Sequence, residues 1–282
     1  MSAPVSVPPG RGRGDSRANR DRSTAGRRRR FAGAATAVAW RHLRSLVRNP
    51  ALLLPPLVMP IFFFVAFAGG LSAVESAPGF DYPNYNSFQF AFVLLQSAGF
   101  GGVFTGFGIA ADFEFGFARR LMLAVRDRSA LIVGYALVAL VRAAMVIAVL
   151  VAVAVVGGAS ITGSGLDLFG LFGLALAFNV AATLFAAGVA FRVRSMQGAP
   201  LMQVPMFVAL LTAPVYVPLD LLQGWVHAVA EVNPVTVLLQ SSRGMVIGDP
   251  VQVTLALALV AALVAAFGAW AIRGLRRAEA AG

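Results

Sequence analysis

The chain has 282 residues, of which 59% are hydrophobic and only 12% are charged, and its formal net charge is +11. A soluble domain carries about twice that share of charged residues, so the composition excludes an ordinary soluble globular protein. The sequence contains no cysteine and no lysine. This excludes disulfides and thiolate chemistry, and it also excludes a P-loop ATPase, because that motif needs a Gly-Lys pair to hold the phosphates.

The N-terminal part of the chain is strongly basic. Residues 1–30 contain nine arginines among Gly, Pro and Ser, which predicts a disordered, solvated tail that contacts anionic lipid rather than nucleic acid. Over residues 31–49, apolar side chains recur at helical spacing, with Arg41, Arg44 and Arg48 among or opposite them. This pattern predicts an amphipathic helix that lies in the cytoplasmic membrane interface and ends at Asn49-Pro50.

Six apolar segments follow within a domain over residues 50–273, and each is long enough to cross most or all of a bilayer as a helix. They cover residues 52–71, 88–111, 131–156, 168–191, 201–217 and 253–272. Their apolar residues are continuous rather than alternating, which argues against a transmembrane barrel. We therefore predict an all-α polytopic membrane protein with six transmembrane helices, followed by a short tail over residues 274–282.

The arginines indicate which side of the membrane each connection faces. Apart from Arg142 and Arg243, every arginine lies in the N-terminal segment, in the connections 112–129 and 192–200, or at the C-terminus. The positive-inside rule places these parts in the cytoplasm. The prediction is a multi-pass protein with both termini in the cytoplasm. The absence of lysine and the abundance of Ala, Arg and Gly suggest a high-GC genome, and we expect a bacterial cell membrane.

The cytoplasmic connection 112–129 is the most informative local stretch. Its acidic residues come first and its arginines later, an order that suits a helix macrodipole, and its apolar side is suited to a groove in a partner protein. Ordinary charges of a membrane-surface loop are the alternative interpretation. The candidate coupling residues are Glu114, Gly116, Arg119, Arg120 and Leu121.

Two further regions are candidates for function. Arg142 lies within the third span, where an ionisable side chain indicates function by default, although it could instead reach back to the cytoplasmic surface. Pro218, Gly224 and Asn233-Pro234 divide the connection 218–250 into pieces too short to span the membrane. The two histidines have no further ligand at metal spacing, so no metal site is predicted.

Four stretches together resemble ABC-2 type permeases, especially the daunorubicin-resistance branch of drug exporters. They occur in the family's order among the six spans, whereas Val125 and Thr212-Ala213 depart from its pattern. The stretches are Arg44-x-x-x-Arg48-Asn49-Pro50 at the start of the first helix, Glu114-x-Gly116-x-x-Arg119-Arg120-Leu121 in the coupling segment, Val217-Pro218-Leu219-Asp220 after the fifth helix, and Glu231-x-Asn233-Pro234 with Arg243-Gly244 before the sixth.

The resemblance implies the membrane subunit of an exporter for a hydrophobic drug, lipid or polymer-like substrate. ATP and Mg²⁺ would bind a separate ATPase, present in two copies with two permease copies that form a homodimer, so this chain would bind no cofactor and would not itself be an enzyme. The 112–129 segment would be a cytoplasmic coupling helix that lodges in a groove of the ATPase. Residues 218–250 would re-enter the membrane from outside as short helices, with Asn233, Pro234 and Arg243 at an external gate; a folded external loop is the alternative.

Two other classes of function stay open from the sequence alone. An ion-coupled secondary transporter would need inverted repeats, discontinuous helices and a midplane ion site, yet no acidic residue occupies a span centre. A membrane-embedded enzyme would need a catalytic constellation at one face of the membrane, and the sequence contains no recognisable one.

Overall fold

The computed structural model describes residues 29, 31–45, 48, 54–124 and 129–280. Of Pro55, Arg119, Leu121, Leu123, Ala124 and Glu279 it describes the backbone only. The predicted tail over residues 1–30 therefore lies outside the described residues apart from Arg29, as does the Asn49-Pro50 end of the predicted interfacial helix. The secondary structure of the described ranges is helical, with short non-helical connections, and no strand occurs in them.

Helices account for nearly all of the described chain. They are α1 (31–45), α2 (Leu54–Gly70), α3 (Tyr85–Glu114), α4 (Phe117–Ala124), α5 (Ser129–Val156), α6 (Gly165–Val193), α7 (Ala199–Leu211), α8 (Gly224–Val232), α9 (Pro234–Ile247) and α10 (Val253–Ala280). A short 3-10 turn, Met196–Gly198, leads directly into α7, and two more, Ser72–Ser76 and Leu219–Leu221, lie in the connections after α2 and α7.

Four helices in the described part of the chain are long and apolar enough to cross a membrane, namely α3, α5, α6 and α10. Two further apolar segments are shorter, Pro56–Gly70 in α2 and Met196–Leu211 at α7. At 1.5 Å per residue they extend about 22–24 Å, less than the 30 Å thickness of a hydrocarbon core. Within the described residues, which begin again at Leu54 after a gap, the predicted first and fifth spans are thus apolar helices of less than full spanning length.

The ends of two predicted spans differ from the structure. Helix α7 ends at Leu211, so a helix that continues to residue 217 is wrong. The physical reason is Pro214, because the residue before a proline is disfavoured in the α region. Helix α10 continues to Ala280, so residues 274–280 of the predicted tail are helical. Its extension places Leu275 and Ala278 in buried positions, and Arg277 in the last turn suits the helix macrodipole.

Helix α3 is the centre of the molecule, because it is buried along most of its length and contacts α2, α5, α6, α7 and α9. Its closest neighbour is α6, and glycines on α3 make this approach possible. A Cβ atom at Gly102 would lie 2.6 Å from the Cβ of Ala182 on α6, which real side chains do not tolerate. Small residues allow such close packing of helices in membranes. Helix α10 packs on α6 and is otherwise largely exposed.

The ends of the helices opposite α4 are tied together by hydrogen bonds between connections. The Asn84 side chain caps α3 by accepting from the Ser87 backbone N–H at 2.8 Å, and its Nδ2 donates to the Ser160 hydroxyl at 3.1 Å. The backbone N–H groups of Thr162 and Gly163 both donate to the Val246 carbonyl at 3.0 Å. These bonds hold the start of α3, the α5–α6 connection and the end of α9 in one unit.

Candidate functional site

The predicted coupling segment is not a single helix, because it contains the end of α3 and the separate short helix α4. Helix α3 ends at Glu114, and Gly116 adopts a φ of +73° before α4 begins at Phe117. Glycine reaches this left-handed conformation without a steric penalty. The expectation that the acidic residues begin the coupling helix is therefore wrong, because Asp112 and Glu114 belong to the last turn of α3.

Glu114 contacts the connection between α6 and α7. Its Oε2 accepts a hydrogen bond from the Met196 backbone N–H at 2.8 Å, and Met196 begins the turn that leads into α7. The exposed Glu114 carboxylate thus joins the end of α3 to the start of α7. A charge-assisted bond of this kind is stronger than a neutral one, so Glu114 helps to position the junction from which α4 emerges.

Helix α4 has an inner and an outer side. Ala118 and Met122, one helical turn apart, are buried, whereas Arg120 is exposed. Phe115, in the turn before α4, is 80% exposed. The side chains of Arg119 and Leu121, two of the predicted coupling residues, lie outside the described residues. An exposed aromatic side chain in the turn and an exposed arginine on the short helix that follows are suited to contact with a partner protein.

Asp112 is the centre of a polar cluster that joins three helices. Its carboxylate accepts from the Tyr135 hydroxyl of α5 at 2.7 Å and from Arg41 Nη2 of α1 at 3.2 Å. Nε2 of His42, also on α1, lies 3.3 Å from the same carboxylate. Asp112 is only 7% exposed, and a buried carboxylate is stable only when such partners compensate for its lost hydration.

The Asp112 cluster extends to α4 through Arg41. The Arg41 guanidinium lies 3.4 Å from the centre of the Phe117 ring, at the first residue of α4, which is a cation–π contact. One arginine of α1 therefore contacts both the end of α3 and the start of α4. This cluster was not predicted from the sequence. The available signal was an aspartate at the end of an apolar segment, together with Arg41 and His42 just before the first apolar segment.

The guanidinium group of Arg142 lies beside the middle of helix α5. It donates to the Gly101 carbonyl and to the Thr105 hydroxyl of α3, and the residue is 9% exposed. Gly101 is close to the middle of α3, so the guanidinium is held at mid-helix and does not reach back to the end of α5 at Ser129. Among the described contacts, Arg142 has no carboxylate partner.

Asn233 connects the end of α7 to the start of α9. Its side-chain oxygen accepts from the Val235 N–H at 2.9 Å and caps α9, and Pro234 occupies the first helical position. An asparagine cap and a proline at the first helical position are both typical of a helix start. The Asn233 Nδ2 donates to the Ala209 carbonyl at 2.7 Å and to the Thr212 hydroxyl at 3.0 Å. The Asn-Pro pair thus fixes the position of α9 against α7.

Arg243 is 1% exposed and anchors α9 to the start of α3. Its Nε donates to the Phe88 carbonyl and its Nη2 to the Val215 carbonyl, each at 3.2 Å, and the guanidinium lies 3.4 Å from the centre of the Phe88 ring. Burial lowers the pKa of Arg243 to about 9, so the side chain is still protonated at neutral pH. The structure brings Asn233 and Arg243 to opposite ends of the same helix, one contacting α7 and the other α3.

The described residues contain no group of three or more His, Asp or Glu side chains arranged to hold a metal ion. The Asp112 cluster has a tyrosine, an arginine and a histidine around a single carboxylate, and this composition suits a structural ion pair rather than a metal site.

Comparison with known proteins gives one family. The model of the ABC-2 type transporter family matches residues 34–247, a range that begins in α1 and ends with α9. It therefore includes the Asp112 cluster, α4, Arg142, Asn233 and Arg243. No curated protein matches the sequence.

Proposed function

Because the chain belongs to the ABC-2 type transporter family, we propose that it is the membrane permease subunit of an ATP-driven exporter. The substrate would be a hydrophobic drug, lipid or polymer-like molecule that leaves the cytoplasm. The observation that carries this proposal is the matched region itself, which contains a long central helix, α3, that leads through a glycine turn into the short amphipathic helix α4.

The proposed topology has six crossings in a bacterial cell membrane and both termini in the cytoplasm. The four long apolar helices would each cross the whole membrane, and the two shorter ones, α2 and α7, would provide the remaining two crossings. A short helix is accommodated by local thinning of the bilayer or by flanking residues that reach the interface. The arginine distribution supports this orientation, because α4 and the ends of α6 and α10 that carry arginines then lie on the cytoplasmic side.

A separate ATPase would supply the energy. This chain has no lysine and therefore no P-loop, so ATP and Mg²⁺ would bind to the partner. Two copies of each chain, with the permease as a homodimer, would form the complex, and the substrate path would run between the two permeases. Large exposed apolar side chains on α2 and α7, such as Phe62 and Leu201, are available for lipid or for a second copy.

Coupling would pass through α4. Its outer side, with Arg120, would lie in a groove of the ATPase, together with Arg119 and Leu121. Motion of α4 would reach α3 through Gly116, α1 and α5 through the Asp112 cluster, and α7 through Glu114. Since α3 is the central helix and Arg243 contacts its opposite end, a shift of α3 would reach α8 and α9. These short helices would form the external gate, re-entering the membrane without crossing it.

The experiment that tests this function uses inverted vesicles that contain the chain with or without a candidate partner ATPase from the same organism. We expect ATP-dependent uptake of a fluorescent hydrophobic dye only when both chains are present, and no ATP hydrolysis by the purified permease alone. Uptake that is driven by a proton or sodium gradient without ATP would contradict the exporter and favour a secondary transporter.

A further inference from the structure

Arg142 is a buried cation with no carboxylate partner among the residues that the structure describes. It lies at the middle of the 28-residue helix α5, about 20 Å from either end at 1.5 Å per residue. Its partners are the Gly101 carbonyl and the Thr105 hydroxyl, both of which are neutral. Its Nε atom is buried and has no hydrogen-bond partner. Buried charges in proteins are normally paired with an opposite charge, so this arrangement is incomplete.

The chain itself cannot supply the missing anion at this depth. Helices α2, α5, α7 and α9 contain no acidic residue, and those of α3, α6 and α10 lie in a first or last turn: Asp112, Glu114, Asp167 and Glu279. The acid of α8, Glu231, lies in the last turn of that helix, 3.8 Å from His227. A second copy has the same sequence and the same distribution of acids. The counter-charge at mid-membrane must therefore come from a molecule that is not this protein.

Arg243 is a second buried arginine, and its hydrogen-bond partners can be compared with those of Arg142. It is also buried without a carboxylate, but it donates to two carbonyls and lies over the Phe88 ring. Its Nε atom has a partner, whereas that of Arg142 does not. The two arginines thus differ in whether the Nε atom has a hydrogen-bond partner, and Arg142 keeps an unused donor at mid-helix.

We propose that Arg142 binds the anionic headgroup, a phosphate or carboxylate, of an amphiphile within the membrane. This inference rests on the proposed function, since it requires α5 to cross the bilayer and names the class of substrate. An anion is a stronger acceptor than the Gly101 carbonyl or the Thr105 hydroxyl. The guanidinium therefore exchanges these contacts for the headgroup and loosens its hold on α3, the helix that leads to α4.

A binding experiment on the purified full chain tests the site without the ATPase. The chain is placed in phosphatidylcholine nanodiscs, and its melting temperature is measured with dodecyl phosphate, dodecanol or dodecyltrimethylammonium. We expect dodecyl phosphate alone to raise the melting temperature, by about 3 °C at saturation. Arg142→Gln should abolish the shift, whereas Arg276→Gln, which removes an exposed arginine of α10, should retain it.

Two further measurements make the result decisive. Arg142→Lys keeps the charge but loses the planar fork, so it should bind dodecyl phosphate at least threefold more weakly, and it serves as the test if Arg142→Gln does not fold. Replacing part of the phosphatidylcholine by phosphatidylglycerol shows whether the bound headgroup belongs to a membrane lipid or to a transported amphiphile. A shift caused by phosphatidylglycerol itself assigns the site to membrane lipid, and a shift that needs dodecyl phosphate assigns it to a transported amphiphile.

The proposal is overturned if dodecanol stabilises the chain as much as dodecyl phosphate does, or if both Arg142 variants bind dodecyl phosphate as well as the unmodified chain. Because the measurement involves neither ATP nor transport, a failure of ATP-driven export would leave its outcome unaffected. The two hypotheses are therefore separately testable.

Discussion

Polar side chains from two other helices converge on Asp112. Arg41, His42 and Tyr135 all meet its carboxylate, and Arg41 also contacts Phe117. Within the proposed exporter this makes Asp112 a positioning residue, since it acts by holding α1, α3 and α5 in a fixed relation to α4 and contacts no substrate.

We expect Asp112→Asn to reduce the amount of substrate transported per ATP hydrolysed, by about tenfold. The substitution keeps the shape of the side chain but removes its charge, and losing charge-assisted contacts costs about 1.5–3 kcal/mol. Association with the ATPase should be retained, because α4 itself is unchanged. The measurement is dye uptake and ATP hydrolysis in the same vesicles.

Two matched variants separate this role from a general effect of charge. Asp167→Asn alters an acid that caps α6 at the opposite end of the helices and should leave the transport ratio unchanged. Tyr135→Phe removes one of the bonds to Asp112 and should have a smaller effect than Asp112→Asn. An equal loss in Asp112→Asn and Asp167→Asn would show that the cluster has no special part in coupling.

At the scale of elements, the contact between α3 and α6 depends on glycine. Gly102→Val should lower the stability of the fold by about 1–3 kcal/mol, because the new side chain would overlap Ala182 and force the two helices apart. The matched control is Gly108→Ala on the same helix, where no atom lies within 4 Å of the added Cβ. That change should be neutral or stabilise the helix by up to about 1 kcal/mol. Thermal unfolding in detergent measures both, and equal destabilisation by the two variants would contradict this packing.

Helix α4 allows a second prediction at this scale. Arg119 and Arg120 project about 100° apart on a helix, and Arg120 is exposed on the side away from the buried Ala118 and Met122. We therefore expect Arg120→Ala to weaken co-purification with the ATPase by about tenfold or more, and Arg119→Ala to weaken it less. Arg276→Ala, at the end of α10 for which we propose a cytoplasmic location, is the control. Full association of both α4 variants would mean that α4 does not contact the ATPase through these arginines.

For the whole molecule, the central question is its orientation in the membrane. The chain has no cysteine, so single cysteines can be introduced without background. Cysteines at the exposed positions Ser76 and Gln223 should react with an impermeant thiol reagent added to intact cells, whereas Gln197 and Ser129 should react only after the membrane is opened. Labelling of Gln197 from outside would reverse the proposed topology.

Much of the fold was predictable because hydropathy is a local property. The continuous apolar segments predicted all the long helices, and the α3, α5 and α6 spans begin and end within about three residues of their predicted limits. The helix ends that depend on contacts between helices were less predictable. The continuation of α10 to Ala280 depends on Leu275 and Ala278 finding buried positions, and the sequence of a basic terminus does not reveal such contacts.

By itself, the sequence determined the class of protein, the positions of its apolar helices, the absence of a P-loop and the clustering of arginines on one side, because each follows from composition along a single stretch of chain. Only the tertiary structure decided which polar residues act together. Asp112 meets Arg41 and Tyr135, Asn233 meets the end of α7, and Arg243 meets the start of α3. Arg142 has only neutral partners in the described part of the chain. The physical reason is that a buried charge is defined by its partners, and these partners come from helices far apart in the chain.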